Sequence, residues 1–175
     1  MKQVNHRLLL LGILLLLFGG IISAQHQETP KGIFIPSKQA QEDDYNNPES
    51  RFNYKYKAES ENIVVFWDKS FGLNPMNYPD KEKRFNPDEF LKEGERFFTY
   101  YRDKLKFVDK KRSNLKKHKM ILYMHNDDET TAYGWGADNV GIMWFRPCRI
   151  QEYPYCPLAH EMAHSFQYMI EADGH

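Results

Sequence analysis

The residues of this sequence best suited to chemistry are two histidines and a glutamate near its end. His160, Glu161 and His164 follow the spacing H-E-x-x-H in "LAHEMAHSFQ". Residues four apart on a helix share one face, with Cβ atoms about 5–6 Å apart, so the two imidazole rings can point at one position. Imidazole nitrogens bind zinc at about 2.0–2.1 Å. The spacing therefore predicts His160 and His164 as ligands of one Zn²⁺ ion.

Glu161 is predicted to be the general base of the same site. It lies about 100° around the helix from His160, because one turn takes about 3.6 residues. From there it can flank the metal without binding it, accept a proton from a water molecule that the metal activates, and pass that proton to a leaving amine. The rest of the helix is apolar or small, which predicts a buried helix whose polar side chains need a compensating partner.

A folded domain must position this helix, and the apolar pattern indicates its elements. Three β-branched and aromatic runs predict strands at 62–67, 119–125 and 140–145. Asn86 can cap a helix with large rings at helical spacing, and Pro157 begins the motif helix. The glycine-rich segment "NDDETTAYGWGADN" is predicted to be a loop. Strands and one helix followed by the motif helix predict the α+β class.

The first 24 residues have the order of a secretory signal peptide. Lys2 and Arg7 precede an apolar run at 8–18, and the segment "GGIISA" follows and ends in the small residue Ala24. The run is shorter than the roughly 20 apolar residues that a transmembrane helix needs, and an uncleaved anchor lengthened by residues 19–22 is the alternative. The predicted organisation is a signal peptide at 1–24, an extended leader at 25–60 and a folded domain at 61–175. We expect a secreted, periplasmic or cell-surface protein with no stable membrane insertion after signal cleavage.

The cysteines bear on a possible disulfide, and the charge balance bears on binding to nucleic acid. Cys148 and Cys156 are eight residues apart, and export predicts a disulfide between them. Lys and Arg together number 24, as do Asp and Glu. This balance gives no general attraction to nucleic acid. The basic run "KKRSNLKKHK" at 110–119 is interpreted as a solvated turn, with a binding patch as the alternative.

The closing segment "AHEMAHSFQYMIEADGH" resembles the active helix of the zincin metallopeptidases. Together with "NIVVFWDKSFG" and "TAYGWGADNVGIMWF", it resembles a group of exported bacterial zincin domains of uncharacterised function, over roughly residue 32 to the end. The resemblance implies a twisted sheet packed on helices, with an edge strand that lines the substrate cleft. Val140–Phe145 is the candidate for that strand, and an extended peptide would pair with it. His160 and His164 match the family's ligands, and Glu161 matches its base.

The third zinc ligand is where the sequence departs from known zincin patterns. The short metzincin pattern would place a glycine at 167 and a histidine at 170, where this sequence has Gln167 and Ile170. A gluzincin takes a glutamate from a second, downstream helix. Glu171 lies about 10 Å along the helix from His164, which is too far for the same ion.

Two alternatives for this ligand stay open. One is His175, eleven residues past His164. The other is a ligand missing from this chain, in which case 61–175 is the N-terminal catalytic subdomain of a longer enzyme. His125, at the end of a strand, is a weaker candidate. Tyr168 continues the histidine face of the helix, and Tyr133 is a candidate to assist an oxyanion.

The leading functional hypothesis is a secreted zinc-dependent peptidase that acts on a peptide or glycopeptide substrate. The metal would activate water, Glu161 would serve as the base, and His160, His164 and His175 would bind the ion. The alternative is a secreted, non-catalytic binding domain on a zincin scaffold, including one that associates with glycans.

Overall fold

A mixed five-stranded sheet lies at the centre of the structure, a computed structural model that describes residues 30–174. The strands are β1 (Lys57–Glu59), β2 (Ile63–Trp67), β3 (Met120–Met124), β4 (Tyr133–Ala137) and β5 (Val140–Phe145), and the helices are α1 (Ser37–Glu42), α2 (Pro87–Thr99) and α3 (Cys156–Ala172). The strand order is β1-β2-β3-β5-β4. Strands β2, β3 and β5 are parallel, whereas β1 and β4 are antiparallel to their neighbours. The predicted α+β class is confirmed.

Strand β4 was not expected, and it changes the position of the sheet edge. The segment predicted as a loop contains β4, which pairs with β5 through Gly134 opposite Met143 and Gly136 opposite Gly141. Strand β5 therefore lies inside the sheet between β3 and β4, and its prediction as the edge strand is wrong. The three strands predicted from apolar runs are confirmed as β2, β3 and β5.

The two faces of the sheet are covered by different parts of the chain. Helices α2 and α3 pack on one face, where Phe98 and Phe166 join side chains of the sheet in the larger apolar cluster. The other face is covered by the chain before β1, which contributes the buried rings of Tyr45 and Phe52. The Tyr45 hydroxyl lies 2.7 Å from that of Tyr123. The segment predicted as an extended leader thus contributes, in its described part, α1, β1 and two core side chains.

Helix α2 begins as its sequence predicts. The Asn86 side chain accepts hydrogen bonds from the backbone N–H groups of Asp88 and Glu89, which satisfies two donors of the first turn. Pro87, at the first helical position, has no N–H to leave unpaired. Phe90 and Phe98 are buried against the sheet, so the ring spacing seen in the sequence marks the core-facing side.

The two cysteines near the start of the motif helix are not joined to each other. Cys148 and Cys156 are exposed free thiols, so the predicted disulfide is wrong. Spacing along the chain fixes neither the distance between two Cβ atoms nor their direction, and a disulfide needs both.

The signal peptide predicted at 1–24 lies outside the described residues. Within residues 30–174, no helix has the length and apolar character needed to cross a lipid bilayer.

Candidate functional site

The motif residues lie on the outward side of α3. Leu158, Met162, Ser165, Phe166 and Met169 are the buried residues of this helix. His160 is exposed, and Glu161 and His164 are half-buried. The expectation that the motif would lie inside a buried helix is therefore wrong. The three side chains therefore form a group at the surface that is accessible to solvent.

Three glycines in the hairpin β4–β5 let α3 lie directly on the sheet. A Cβ atom at Gly134 would lie 1.8 Å from the Glu161 carbonyl oxygen, and one at Gly136 would lie 2.1 Å from the Tyr168 ring. A Cβ at Gly141 would approach Ser165 within 3.3 Å. We call Gly134, Gly136 and Gly141 the glycine platform. It brings the helix backbone at Glu161 against the edge strand β4.

A hydrogen bond adds to this contact from the helix side. The Ser165 hydroxyl, which is fully buried, donates to the carbonyl oxygen of Ile142 in β5 at 2.9 Å. A buried hydroxyl needs such a partner, and this one joins the middle of the helix to the middle of the strand. The motif helix is therefore bonded to the interior strand β5 in addition to its contact with the edge strand β4.

The two histidine rings are arranged as ligands of one ion would be. Their Nε2 atoms are 3.2 Å apart, and the ring planes are inclined at 81°. Two nitrogens that each lie about 2.05 Å from one zinc ion and 3.2 Å from each other subtend about 103° at the ion, close to the tetrahedral angle. Glu161 offers a carboxylate oxygen, and the ligand atoms of the three side chains all lie within 4.8 Å of one another. The donor set and its spacing fit zinc.

Gln167 contacts the His164 ring, a contact that was not predicted from the sequence. The Gln167 side-chain oxygen lies 2.9 Å from Nδ1 of His164. An amide oxygen in this position accepts a hydrogen bond from the Nδ1–H tautomer of His164, which is the tautomer whose Nε2 lone pair is free. A second hydrogen bond of this kind is what orients most metal-binding histidines. The available signal was a polar residue three positions after a predicted ligand on the same helix.

Removing this partner should weaken metal binding. We expect Gln167→Ala to lower zinc affinity by about 10–100-fold, because the His164 ring loses the bond that fixes its tautomer. Gln167→Glu retains an acceptor and should keep most of the affinity. Competition with a chromophoric chelator measures both. Glu171→Ala, an exposed change one turn further along α3, serves as the control, and equal affinity in Gln167→Ala and the control would contradict the role.

His125 is not part of the motif group. It follows β3 with a mostly buried side chain, and its ring packs edge-on against Phe52 at 5.0 Å. Burial, followed by the positive charges of Arg51 and Arg146, lowers the pKa of His125 to about 4. The imidazole is therefore neutral at physiological pH, and it has a packing role away from the motif.

Of the three remaining candidate residues, the structure describes Tyr168 and Tyr133. His175 lies outside the described residues. Tyr168 packs on the hairpin, where its hydroxyl accepts a hydrogen bond from the backbone N–H of Asn139 at 3.2 Å and its ring contacts Trp135. Tyr133, at the start of the edge strand, is 56% exposed. Strand β4 therefore places exposed aromatic rings beside the motif helix.

Comparison with known proteins assigns a family without an activity. The sequence model of one family, described as "Family of unknown function (DUF6055)", matches residues 25–175. Searches of curated proteins and of solved structures returned no match. The family match covers both the sheet and the motif helix, and it includes most of the chain. The chain therefore belongs to the DUF6055 family.

Proposed function

We propose that this chain is a zinc-dependent peptidase domain of zincin type that acts outside the cytoplasm. The observation that carries the proposal is the pair of Nε2 atoms 3.2 Å apart on α3, with the Glu161 carboxylate beside them. Two imidazoles at this separation, one of them held in the tautomer that frees Nε2, form half of a tetrahedral zinc site.

Each motif residue has a distinct role in this proposal. His160 and His164 hold the metal, and His175 is the proposed third protein ligand within this chain. A bound zinc ion supplies Lewis acidity, which polarises a carbonyl group and makes water acidic enough to ionise near neutral pH. Glu161 accepts the proton from the attacking water and returns it to the leaving amine. Its neighbouring position on the helix keeps the carboxylate near the ligands without using it as one.

The edge strand β4 is the proposed docking position for the peptide. It is the last strand of the described sheet, and its backbone touches the helix at Glu161 through Gly134. An extended peptide can add to such an edge through main-chain hydrogen bonds. Tyr133 and Trp135, both about half exposed, provide apolar surface for substrate side chains. This replaces the earlier expectation that β5 would line the cleft.

Metal content and hydrolysis together test the proposal. We expect the purified chain to bind one zinc ion, measured by elemental analysis after dialysis, and to cleave fluorogenic peptides. His164→Ala should lose both the metal and the activity, because it removes one of the three protein ligands that a catalytic zinc site needs. His118→Gln, a change at a histidine outside the group, is the control. Comparing His175→Ala with the wild type tests the third ligand.

Two results would change the proposal. A chain that retains no zinc at any added concentration would overturn the metal site and the peptidase together. A chain that binds zinc fully but cleaves no peptide or glycopeptide would favour the alternative, a secreted binding domain in which the metal is structural.

A further inference from the structure

A second candidate site lies near the amino-terminal ends of β2 and β3. A cavity of about 300 Å³ opens there between the chain before β2, the turn after α2 and the loop that leads to β3. The charged residues lining it are Lys31, Arg102, Lys110, Lys111, Lys116 and Glu61. Five cations and one carboxylate thus line a small concave surface, and a second carboxylate, Asp103, pairs with Arg102 beside it.

The lysines on the loop side of this cavity have little neutralisation from the protein. Among residues 30–174, no carboxylate lies within salt-bridge distance of Lys111 or Lys116, and the Lys116 ammonium donates to the neutral backbone oxygen of Lys111 at 2.9 Å. Lys110 comes only within 3.9 Å of an Asp103 carboxylate oxygen. Asp103 instead binds Arg102 through two hydrogen bonds of 2.9 Å. The cavity therefore keeps positive charge on its loop side.

The loop that carries these lysines is held in one conformation. The Asp109 carboxylate accepts from the backbone N–H of Lys111 at 2.8 Å and from Arg112 Nε at 2.9 Å. Further along, the Asp173 carboxylate accepts from both the backbone and the side-chain N–H groups of Asn114, at 3.0 and 3.1 Å. A preorganised loop loses little conformational entropy when a ligand binds. The backbone that carries these lysines is thus already ordered in the protein alone.

This cavity is separate from the motif site. Its loop is joined to α3 at Asp173, which lies nine residues after His164 and therefore about 14 Å further along the helix axis. The pocket also has its own apolar wall, because Val108 and Leu115 line it and belong to the larger core cluster. A ligand here would contact charge on one side and apolar surface on the other.

We propose that this cavity binds a small organic phosphate monoester. Like charges gathered around a concavity raise the local potential, and an anion that enters it relieves their repulsion. Lysine ammonium groups each offer three N–H donors, which suits the terminal oxygens of a phosphate dianion. Val108 and Leu115, which are 5% and 3% exposed, offer a small apolar contact to the C–H groups of the ester. In this proposal the basic run at 110–119 is a binding patch, which was the alternative to a solvated turn.

Nuclear magnetic resonance titration of the purified chain tests this site. The probes are glucose 6-phosphate, inorganic phosphate, sulfate and glucose at low ionic strength. We expect glucose 6-phosphate to shift amide signals at 31, 102 and 108–116, with binding that weakens as salt is added. The doubly substituted variant Lys111→Ala, Lys116→Ala should bind about tenfold more weakly, because two of the cations are lost. Both lysines are exposed, so the fold should be retained.

A charge-matched control separates a site from general attraction. Lys38→Ala combined with Lys81→Ala removes two exposed lysines elsewhere and should leave binding unchanged. Inorganic phosphate that binds as tightly as the ester would restrict the site to the free anion and overturn the monoester assignment. Equal weakening in the control, equal binding of glucose, or no localised shifts would overturn the site itself.

Discussion

Glu161→Gln is expected to abolish most peptide hydrolysis while leaving zinc bound. Glutamine has nearly the same shape as glutamate but cannot accept the proton of the attacking water, and general base catalysis contributes about 10²–10⁴-fold. His160 and His164 are unchanged in this variant, so the metal site should keep its affinity. Measuring kcat/KM on a fluorogenic peptide and zinc content on the same preparation separates the two roles.

A nearby carboxylate serves as the control for this variant. Glu171 is exposed on the same helix, two turns beyond His164 and outside the motif group. Glu171→Gln removes the same charge and should retain full activity. If Glu161→Gln kept wild-type kcat/KM, the glutamate would not be the base. If it lost zinc as well as activity, Glu161 would be acting as a ligand instead.

Gly134→Ala should destabilise the fold more than any other single-methyl change considered for this chain. The new Cβ would lie 1.8 Å from the Glu161 carbonyl oxygen and 2.5 Å from its carbon, and both are backbone atoms of α3. A backbone cannot rotate away as a flexible side chain can, so the helix must move off the hairpin. Overpacking of a core costs about 1–3 kcal/mol, and we expect the free energy of unfolding to fall by about 3 kcal/mol.

Gly32→Ala provides the matched comparison. Its Cβ would meet only the Lys117 carbonyl oxygen at 3.8 Å, an ordinary contact. Urea unfolding followed by circular dichroism should show a much lower midpoint for Gly134→Ala than for Gly32→Ala. Zinc affinity should fall in the first variant as well, because the motif helix is displaced. Identical midpoints would mean that α3 does not rest on Gly134.

Much of the central architecture could be predicted from the sequence because its signals are local. The runs that became β2, β3 and β5 are apolar on both faces, as expected for strands covered on each side of a sheet. Asn86 and Pro87 mark a helix start through hydrogen-bonding and backbone geometry alone. The H-E-x-x-H spacing brings the histidine rings together on any regular helix.

Strand β4 could not be recognised by the same means. Its glycines have low strand propensity, and they are present because the helix needs their space. A sequence signal was available at its end, the dipeptide Asp138-Asn139, because both residue types tolerate positive φ angles. Asp138 and Asn139 both have positive φ angles, and they form the two-residue connection to β5 that the primed hairpin turns require. Recognising that turn would have moved the sheet edge from β5 to β4.

Two other errors came from contacts that no local pattern encodes. Tyr45 and Phe52 lie in a polar, proline-containing segment, and only the position of the far side of the sheet shows that they are core residues. The disulfide was inferred from compartment and spacing, neither of which fixes side-chain direction. Likewise, the bond from His164 to Gln167 depends on rotamers that a sequence does not specify.

The glycine platform couples the edge strand β4 to the motif helix of the proposed peptidase through backbone contact. Strand β4 and the helix backbone at Glu161 are in direct contact, so a peptide that twists or straightens β4 would move the helix with it. Occupancy of the strand and occupancy of the metal site would then be energetically linked. Linkage is reciprocal, so whatever factor zinc contributes to peptide affinity, the peptide must contribute to zinc affinity. If zinc strengthens peptide binding, a bound peptide would help to retain the ion by the same factor.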